Sequence, residues 1–165
     1  MSTVFLSLGS NLGNRLQLLS RATELIEKRI GLVVDASHIY ETIAWGYDGR
    51  DYLNQVVRIE TNLEPQEVLD EILEIENTIG RAPRTGVYTD REIDVDILLY
   101  DNLVLLGHDL VIPHPHMHER DFVLVPMLDI APDLIHPSIG QTMTELCNEV
   151  QKDQPVQIRK CATNT

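Results

Sequence analysis

The sequence predicts an α+β fold in which two helices cover one face of a β-sheet. Apolar residues recur with helical spacing in two separated stretches, and β-branched stretches precede, separate and follow them. The resulting order, β-α-β-β-α-β, is the ferredoxin-like arrangement, a βαββαβ sandwich. Beyond residue 106 prolines interrupt the chain repeatedly, so we expect additional strands and short helices there, the helices near 119–128 and 142–150.

The first half of this pattern begins with a strand at residues 3–9. A loop of Gly, Ser and Asn follows, and these residue types cap helices. Apolar positions from residue 12 to 30 then keep helical spacing, and Gly31 stands where a glycine commonly ends a helix. Two further strands are expected at 32–39 and 52–61. The other face of this sheet, which the two helices do not cover, is expected to carry loops.

The second half begins with a helix at Glu64-Pro65, because proline is tolerated in a first turn. This helix ends at Gly80. A polar loop over 81–90 leads into a β-branched strand at 92–100, and a short partner strand is expected at 103–106.

Composition indicates one domain. The chain has 165 residues, of which 43% are hydrophobic, enough to bury a core without disulfides. We expect this domain over residues 1–155, followed by a polar tail at 156–165 that frays. Neither a membrane-spanning run nor a signal peptide is recognisable, and Cys147 and Cys161 fit no metal motif. We therefore expect a cytoplasmic protein with free thiols.

The net charge restricts the partners. Acidic residues outnumber basic ones by 26 to 13, which gives a formal charge of −13. A field of this sign repels nucleic-acid backbones and anionic membranes, so neither is an expected partner. We expect small-molecule substrates and a monomer or a weak homodimer.

Asp94 and Asp96 are the first candidate functional residues. In a strand, residues two apart point to the same face, so both carboxylates face away from Ile93, Val95 and Ile97. Two carboxylates this close need a positive charge between them, and magnesium is the usual ion for such oxygen ligands. The alternative is a solvated face of an edge strand.

Arg81, Arg84 and Arg91 flank the loop that leads into this acidic strand. Guanidinium groups match phosphate oxygens and the charge that develops in phosphoryl transfer. The alternative is ordinary surface charge. The chain contains no P-loop sequence, so any nucleotide is bound in another way.

Two further groups of residues complete the candidates. His114, His116 and His118 alternate along a proline-rich stretch, which leaves a zinc site or a single phosphate-contacting histidine as alternatives. Flat rings that can stack on a planar heterocycle, and polar groups that can bind its edge, occur at Trp45, Tyr52, Phe122, Asn54 and Thr42. Ordinary packing is the alternative for each ring.

Five short motifs follow one another along the chain: Leu8-Gly9-Ser10-Asn11-Leu12-Gly13; Tyr52-Leu53-Asn54; Glu76 with Gly80-Arg81; Arg91 followed by Asp94-Val95-Asp96-Ile97-Leu98; and Pro113-His114 followed by Arg120 and Phe122. Together they resemble the 6-hydroxymethyl-7,8-dihydropterin pyrophosphokinase family of folate biosynthesis, over about residues 4–150. The resemblance implies an enzyme that transfers the β,γ-diphosphate of ATP to the pterin hydroxymethyl oxygen and leaves AMP.

The resemblance also implies roles for individual residues. Two magnesium ions would be held by Asp94 and Asp96. The catalytic residues would be Arg81, Arg84, Arg91, Asp94 and Asp96. ATP would be bound by Glu76, Arg81, Arg91, Ile97, His114 and Arg120. The pterin would be bound by Thr42, Ile43, Trp45, Tyr52, Asn54, Asp94 and Phe122. Loops 42–51 and 81–90 would close over the substrates.

The chain departs from the family pattern at three places. Tyr88-Thr89-Asp90 replaces a common Trp-Gly-Pro run before Arg91, Ile43 replaces a common proline, and Pro115 replaces a common aromatic residue. Two other function classes compete with the resemblance. A nucleotidyl enzyme of the polymerase or cyclase type also pairs aspartates on such a sheet, and a sensing module of this fold needs no catalytic residues.

Overall fold

A computed structural model describes residues 1–43, 49–80, 92–153 and 158–161 of the chain. Its strands are β1 (Ser2–Ser10), β2 (Leu32–Ala36), β3 (Tyr40–Thr42), β4 (Tyr52–Thr61), β5 (Asp94–Tyr100), β6 (Leu105–Leu106), β7 (Val111–Ile112) and β8 (Ile158–Lys160). Its α-helices are α1 (Arg15–Arg29), α2 (Pro65–Ile79), α3 (Asp121–Ile130) and α4 (Met143–Asp153), and a short 3-10 helix spans Met117–Glu119.

The main sheet is antiparallel and has the order β5-β1-β4-β3-β8, with β2 also paired to β4. At its centre β1 pairs with β4 from Ser2 opposite Thr61 to Ser10 opposite Leu53. A second, two-stranded sheet joins β6 to β7. The described part of the chain is therefore a mixed α/β fold with an antiparallel sheet and four α-helices.

The first two helices begin and end on local signals. The Asn14 side chain accepts a hydrogen bond from the Gln17 amide at 3.2 Å and caps α1. Glu64 and Glu67 form a capping box at the start of α2, and Gly80 ends this helix with a φ of 108°. The helix boundaries expected at 65–79 are confirmed, whereas α1 begins three residues later than expected.

Helices cover both faces of the sheet. On one face, α1 and α2 bury the β1 residues Val4, Leu6 and Leu8 in the first core. The other face was expected to carry loops, and this expectation is wrong. There α3 and α4 pack on Phe5 and Val56 and form a second core. Two apolar layers thus exclude water from the middle of the sheet, which stabilises the strands that carry the site.

The strand expected at 32–39 ends early: β2 stops at Ala36, and the separate strand β3 begins at Tyr40, beyond the expected range. The pairing of β2 with β4 shifts between Val33 and Asp35. The side chain of Ser37 then binds the backbone of β4, since its hydroxyl accepts a hydrogen bond from the Val56 amide at 2.9 Å. The side chain competes with the regular ladder and ends β2.

The C-terminal segment contributes an edge strand. Residues 158–160, expected in a fraying tail, form β8 and pair with β3. The amide of Cys161 donates to the Ile39 carbonyl at 2.8 Å. Cys147 and Cys161 are both free thiols, as expected. None of the helices within the described ranges has the length and apolar character needed to cross a lipid bilayer.

Acidification is expected to destabilise the fold through His136. Burial, and secondarily the nearby His118, lowers the pKa of His136 below its ordinary value. Its Nδ1 atom accepts from the amides of Ser138 and Ile139, both at 3.2 Å. The unfolded chain takes up the proton near pH ~6.5, so stability present above that pH is lost as the pH falls below it. Urea unfolding at pH 7.5 and 5.5 measures this loss.

The variant His136→Asn is the control for this prediction, because an asparagine oxygen can accept the same amides without titrating. We expect a smaller loss of unfolding free energy on acidification in the variant. Equal losses in the two proteins would contradict the assignment to His136.

Candidate active site

A pocket of about 510 Å³ opens on the second face of the sheet, beside α3. It lies where the ends of several strands meet the start of that helix. Its lining residues are Ser7 and Gly9 from β1, Thr42 and Ile43 at the end of β3, Tyr52 and Asn54 from β4, Asp94 and Asp96 from β5, and Arg120 and Phe122. Eight of these ten residues were predicted for the site from the sequence.

The acidic pair lies on one wall of this pocket. Asp94 is opposite Gly9 and Asp96 is opposite Ser7 in the pairing of β5 with β1. The intervening Val95 points to the first core, so the predicted alternation of β5 is confirmed. Past Ile97 the alternation breaks, because Leu98 is an extra residue on β5.

Glu76 supports this wall from behind. It lies on α2, is only 2% exposed, and accepts a hydrogen bond from the Val95 amide at 2.9 Å. A buried carboxylate bonded to the amide between the two aspartates holds the start of β5 against α2. The resemblance places Glu76 near ATP, which remains a prediction. The structure adds a positioning contact that the sequence did not indicate.

Thr42, Tyr52 and Asn54 form another part of the pocket lining, called the ring-binding wall below because it presents a flat tyrosine ring. A Cβ atom on Gly9 would lie 3.3 Å from Cδ1 of Tyr52, so the glycine lets the tyrosine ring pack closely over the β1 backbone. Asn54 is buried and donates from Nδ2 to Oγ1 of Thr42 at 2.9 Å. This bond orients an amide and a hydroxyl at the pocket edge, where they can recognise a heterocycle.

Arg120 and Phe122 close the pocket from the side of α3. The guanidinium carbon of Arg120 lies 5.5 Å from the centroid of the Phe122 ring, which is a cation–π contact. Arg120 is only 9% exposed. Its burial brings a permanent positive charge into the same pocket as the two aspartates, as a site for phosphate groups requires.

The histidines are arranged separately. His114 is tied to β5, since its amide donates to the Leu98 carbonyl at 2.9 Å, and its Nδ1 accepts from the His116 amide at 3.1 Å. His116 contacts Glu119, and the ring of His118 lies 6.2 Å from that of His136. Within the described ranges, no three His, Cys, Asp or Glu side chains converge as a metal site, so nothing there favours zinc.

Several predicted residues are placed elsewhere or are not described. Ile97 lies in the first core, on the face of β5 opposite the pocket, and its predicted contact with ATP remains a prediction. Trp45, Arg81, Arg84 and Arg91 lie outside the described residues. The two remaining pocket residues are Gly9, which the sequence analysis gave only as part of a motif, and Ser7, which it missed. Its position two residues before Gly9 places it on the same strand face, and this spacing could have indicated it.

The donor set fits a hard divalent cation. Asp94 and Asp96 supply carboxylate oxygens to one pocket, and Oδ1 of Asp94 is buried. Oxygen ligands from one or two carboxylates, completed by water and phosphate, are typical for magnesium.

Comparisons with known proteins show which family this chain resembles over most of its length. Residues 5–132 match the family model 7,8-dihydro-6-hydroxymethylpterin-pyrophosphokinase (HPPK). A 2-amino-4-hydroxy-6-hydroxymethyldihydropteridine pyrophosphokinase from Porphyromonas gingivalis is 45% identical over 83% of this chain and 95% of its own length. One of that name from Aquifex aeolicus is 40% identical over 88% of this chain and 90% of its own.

A solved structure has a similar fold. The wild-type HPPK-DHPS of Plasmodium falciparum superposes with a TM-score of 0.79 at 16% identity. The match covers 96% of this chain and 48% of that longer one. The family model covers most of the chain, and the two bacterial relatives match it over nearly their whole length. This chain therefore belongs to the 7,8-dihydro-6-hydroxymethylpterin-pyrophosphokinase family.

Proposed function

We propose that this chain transfers the β,γ-diphosphate of ATP to the hydroxymethyl oxygen of 6-hydroxymethyl-7,8-dihydropterin, in tetrahydrofolate biosynthesis. The observation that carries the proposal is one pocket that joins a carboxylate pair to a ring-binding wall. The names of the bacterial relatives describe the same activity. We place the reaction in the cytoplasm and expect neither nucleic acid nor a membrane as partner.

The reaction is a single displacement. The pterin hydroxymethyl oxygen forms a bond to the β-phosphorus of ATP and releases its proton to water, while the bond from this phosphorus to the α,β-bridging oxygen breaks. AMP leaves with that bonding electron pair. No covalent intermediate with the protein is needed, so the residues contribute position and electrostatic stabilisation.

In this proposal Asp94 and Asp96 would hold two magnesium ions. Bound magnesium supplies positive charge to the triphosphate and to the attacking oxygen. Arg120 neutralises phosphate charge from the side of α3, and His114 contacts the nucleotide. Arg81, Arg84 and Arg91 contribute the remaining positive charge. Excess negative charge on the phosphates would otherwise repel the two aspartates.

The pterin binds against the ring-binding wall of the pocket. Tyr52 and Phe122 offer stacking faces, and the pair Thr42–Asn54 binds the polar edge of the ring. The hydroxymethyl group would then face Asp94 and Asp96, which line the same pocket.

We also class the fold as ferredoxin-like. The strand order β5-β1-β4, with β2 and β3 both paired to the other edge of β4, supports this class.

Nucleotide product analysis tests the proposed function. The protein is incubated with ATP, magnesium and the pterin, and the nucleotides are separated by ion-exchange chromatography. We expect AMP that depends on the pterin, without free pyrophosphate. Formation of ADP would instead indicate transfer of a single phosphoryl group, and free pyrophosphate a nucleotidyl transfer. Absence of any product would favour a binding module.

A further inference from the structure

Strand β3 and helix α3 carry Thr42 and Phe122 at the pocket, and α3 is also joined to β3 and to the segment before it by hydrogen bonds outside the pocket. Tyr40 on β3 donates from its hydroxyl to Oδ2 of Asp129 on α3, at 2.8 Å. The same oxygen accepts from the His38 amide at 3.0 Å. Asp129 therefore fixes the far end of α3 to the segment that leads into the pocket edge.

The spacing along each element relates this bond to the pocket. Tyr40 and Thr42 are two residues apart on β3 and share a face, about 7 Å from each other along the strand. Phe122 and Asp129 are seven residues apart on α3, which is about two helical turns and the same side of the helix. The Tyr40–Asp129 bond therefore connects the same strand face and the same side of α3 that carry Thr42 and Phe122. The part of the pocket between Phe122 and the Thr42–Asn54 pair is called the ring-binding slot.

We propose that Tyr40 and Asp129 are positioning residues that set the separation between Phe122 and the Thr42–Asn54 pair, and thereby the affinity of the ring-binding slot. Neither residue lines the pocket. The inference rests on the proposed function for the identity of the ring. A stacked heterocycle needs faces held at a defined distance, so loosening α3 against β3 weakens ring binding without moving the carboxylates on β5.

The environment of the bond suits a permanent contact. Tyr40 is buried, with 8% of its surface exposed. Burial and the Asp129 contact raise the pKa of its hydroxyl well above the ordinary value, so the tyrosine remains a hydrogen-bond donor throughout the pH range of the enzyme. The donor side of this hydrogen bond therefore does not titrate over that range.

The variant Tyr40→Phe removes the donor and keeps the ring. We expect the dissociation constant for the dihydropterin, measured by titration calorimetry with a non-hydrolysable ATP analogue and magnesium, to rise about three- to tenfold. The KM for the pterin should rise by a similar factor, while kcat changes less than about twofold. Asp129→Ala also removes the acceptor of the His38 amide, so it should raise the dissociation constant at least as much. The double variant should be no worse than Asp129→Ala alone.

Tyr100→Phe is the matched control. Tyr100 is equally buried, at 8% exposure, and its hydroxyl donates to the Leu63 carbonyl at 2.7 Å, away from α3. This control should lose a similar amount of stability and keep its pterin affinity. The variant Asp129→Asn keeps an oxygen acceptor and should partly restore binding relative to Asp129→Ala.

Two results would overturn the inference separately from the proposed function. Pterin binding by the unmodified chain with unchanged affinity in Tyr40→Phe would overturn the inference alone. Equal loss in Tyr40→Phe and Tyr100→Phe would do the same, since it would reduce the bond to a general contribution to stability. Absence of pterin binding by the unmodified chain would overturn the proposed function and the inference with it.

Discussion

Replacing Asp96 with asparagine is expected to lower kcat/KM for diphosphate transfer by about a thousandfold or more. The substitution keeps the size of the side chain and removes a negative charge from the pocket wall opposite Ser7. An uncharged amide is a weak ligand for magnesium, so the charge that offsets the phosphates is lost from the site. Steady-state kinetics over a magnesium titration measure the effect, and thermal unfolding verifies that the fold survives.

The control for Asp96→Asn is Asp133→Asn. Asp133 is exposed and does not line the pocket, and the variant changes the net charge of −13 by the same single unit. We expect activity within about twofold of the unmodified chain for this surface position. Full activity in Asp96→Asn, or an equal loss in both variants, would refute the assignment of Asp96 to the metal.

Gly31→Ala is expected to destabilise the protein by about 3 kcal/mol or more. A Cβ atom at this position would lie only 2.2 Å from the Glu60 carbonyl oxygen and 3.0 Å from its carbonyl carbon. Both atoms belong to the backbone of β4, at the place where Leu32 pairs with Glu60. The clash can be relieved only by moving the connection between α1 and β2 away from the sheet. Urea unfolding with an unchanged m-value measures the loss.

Gly140→Ala is the control, since it separates this steric effect from backbone strain. Gly140 has a φ of 81°, and a Cβ atom there would meet nothing within 4 Å. Alanine at this position therefore bears only the cost of a left-handed backbone, about 1–2 kcal/mol. If Gly31→Ala is no more destabilising than Gly140→Ala, the close approach of β4 is not the reason for the glycine.

The two glycines that follow α1 and α2 show how far local sequence rules extend. Both were interpreted as ends of helices. Gly80 fits that rule, with its left-handed φ of 108° after α2. Gly31 does not have a positive φ, and the residue that ends α1 is Ile30 in a right-handed conformation. Gly31 is required instead by a strand that lies about thirty residues further along the chain. A helix rule contains no information about that neighbour.

Local patterns determined the central elements of this protein. Apolar periodicity predicted α2 with its boundaries, and the alternation around Val95 predicted that Asp94 and Asp96 share a face. These results depend on the geometry of single elements, which repeats every two or 3.6 residues. The resemblance then identified eight of the ten pocket residues, because a family motif includes binding positions that hydrophobic periodicity does not indicate.

Only the tertiary structure decided the rest. Cross-strand register placed Ser7 beside Asp96, and the packing of α2 on β5 gave Glu76 its bond to Val95. Helices α3 and α4 pack on the second face, and β8 pairs with β3 at the edge of the sheet. The hydrophobic pattern of these three segments does not indicate which part of the fold they contact. These contacts join residues far apart in the chain. Their choice depends on which apolar surfaces and edge hydrogen bonds remain available after the central sheet has formed.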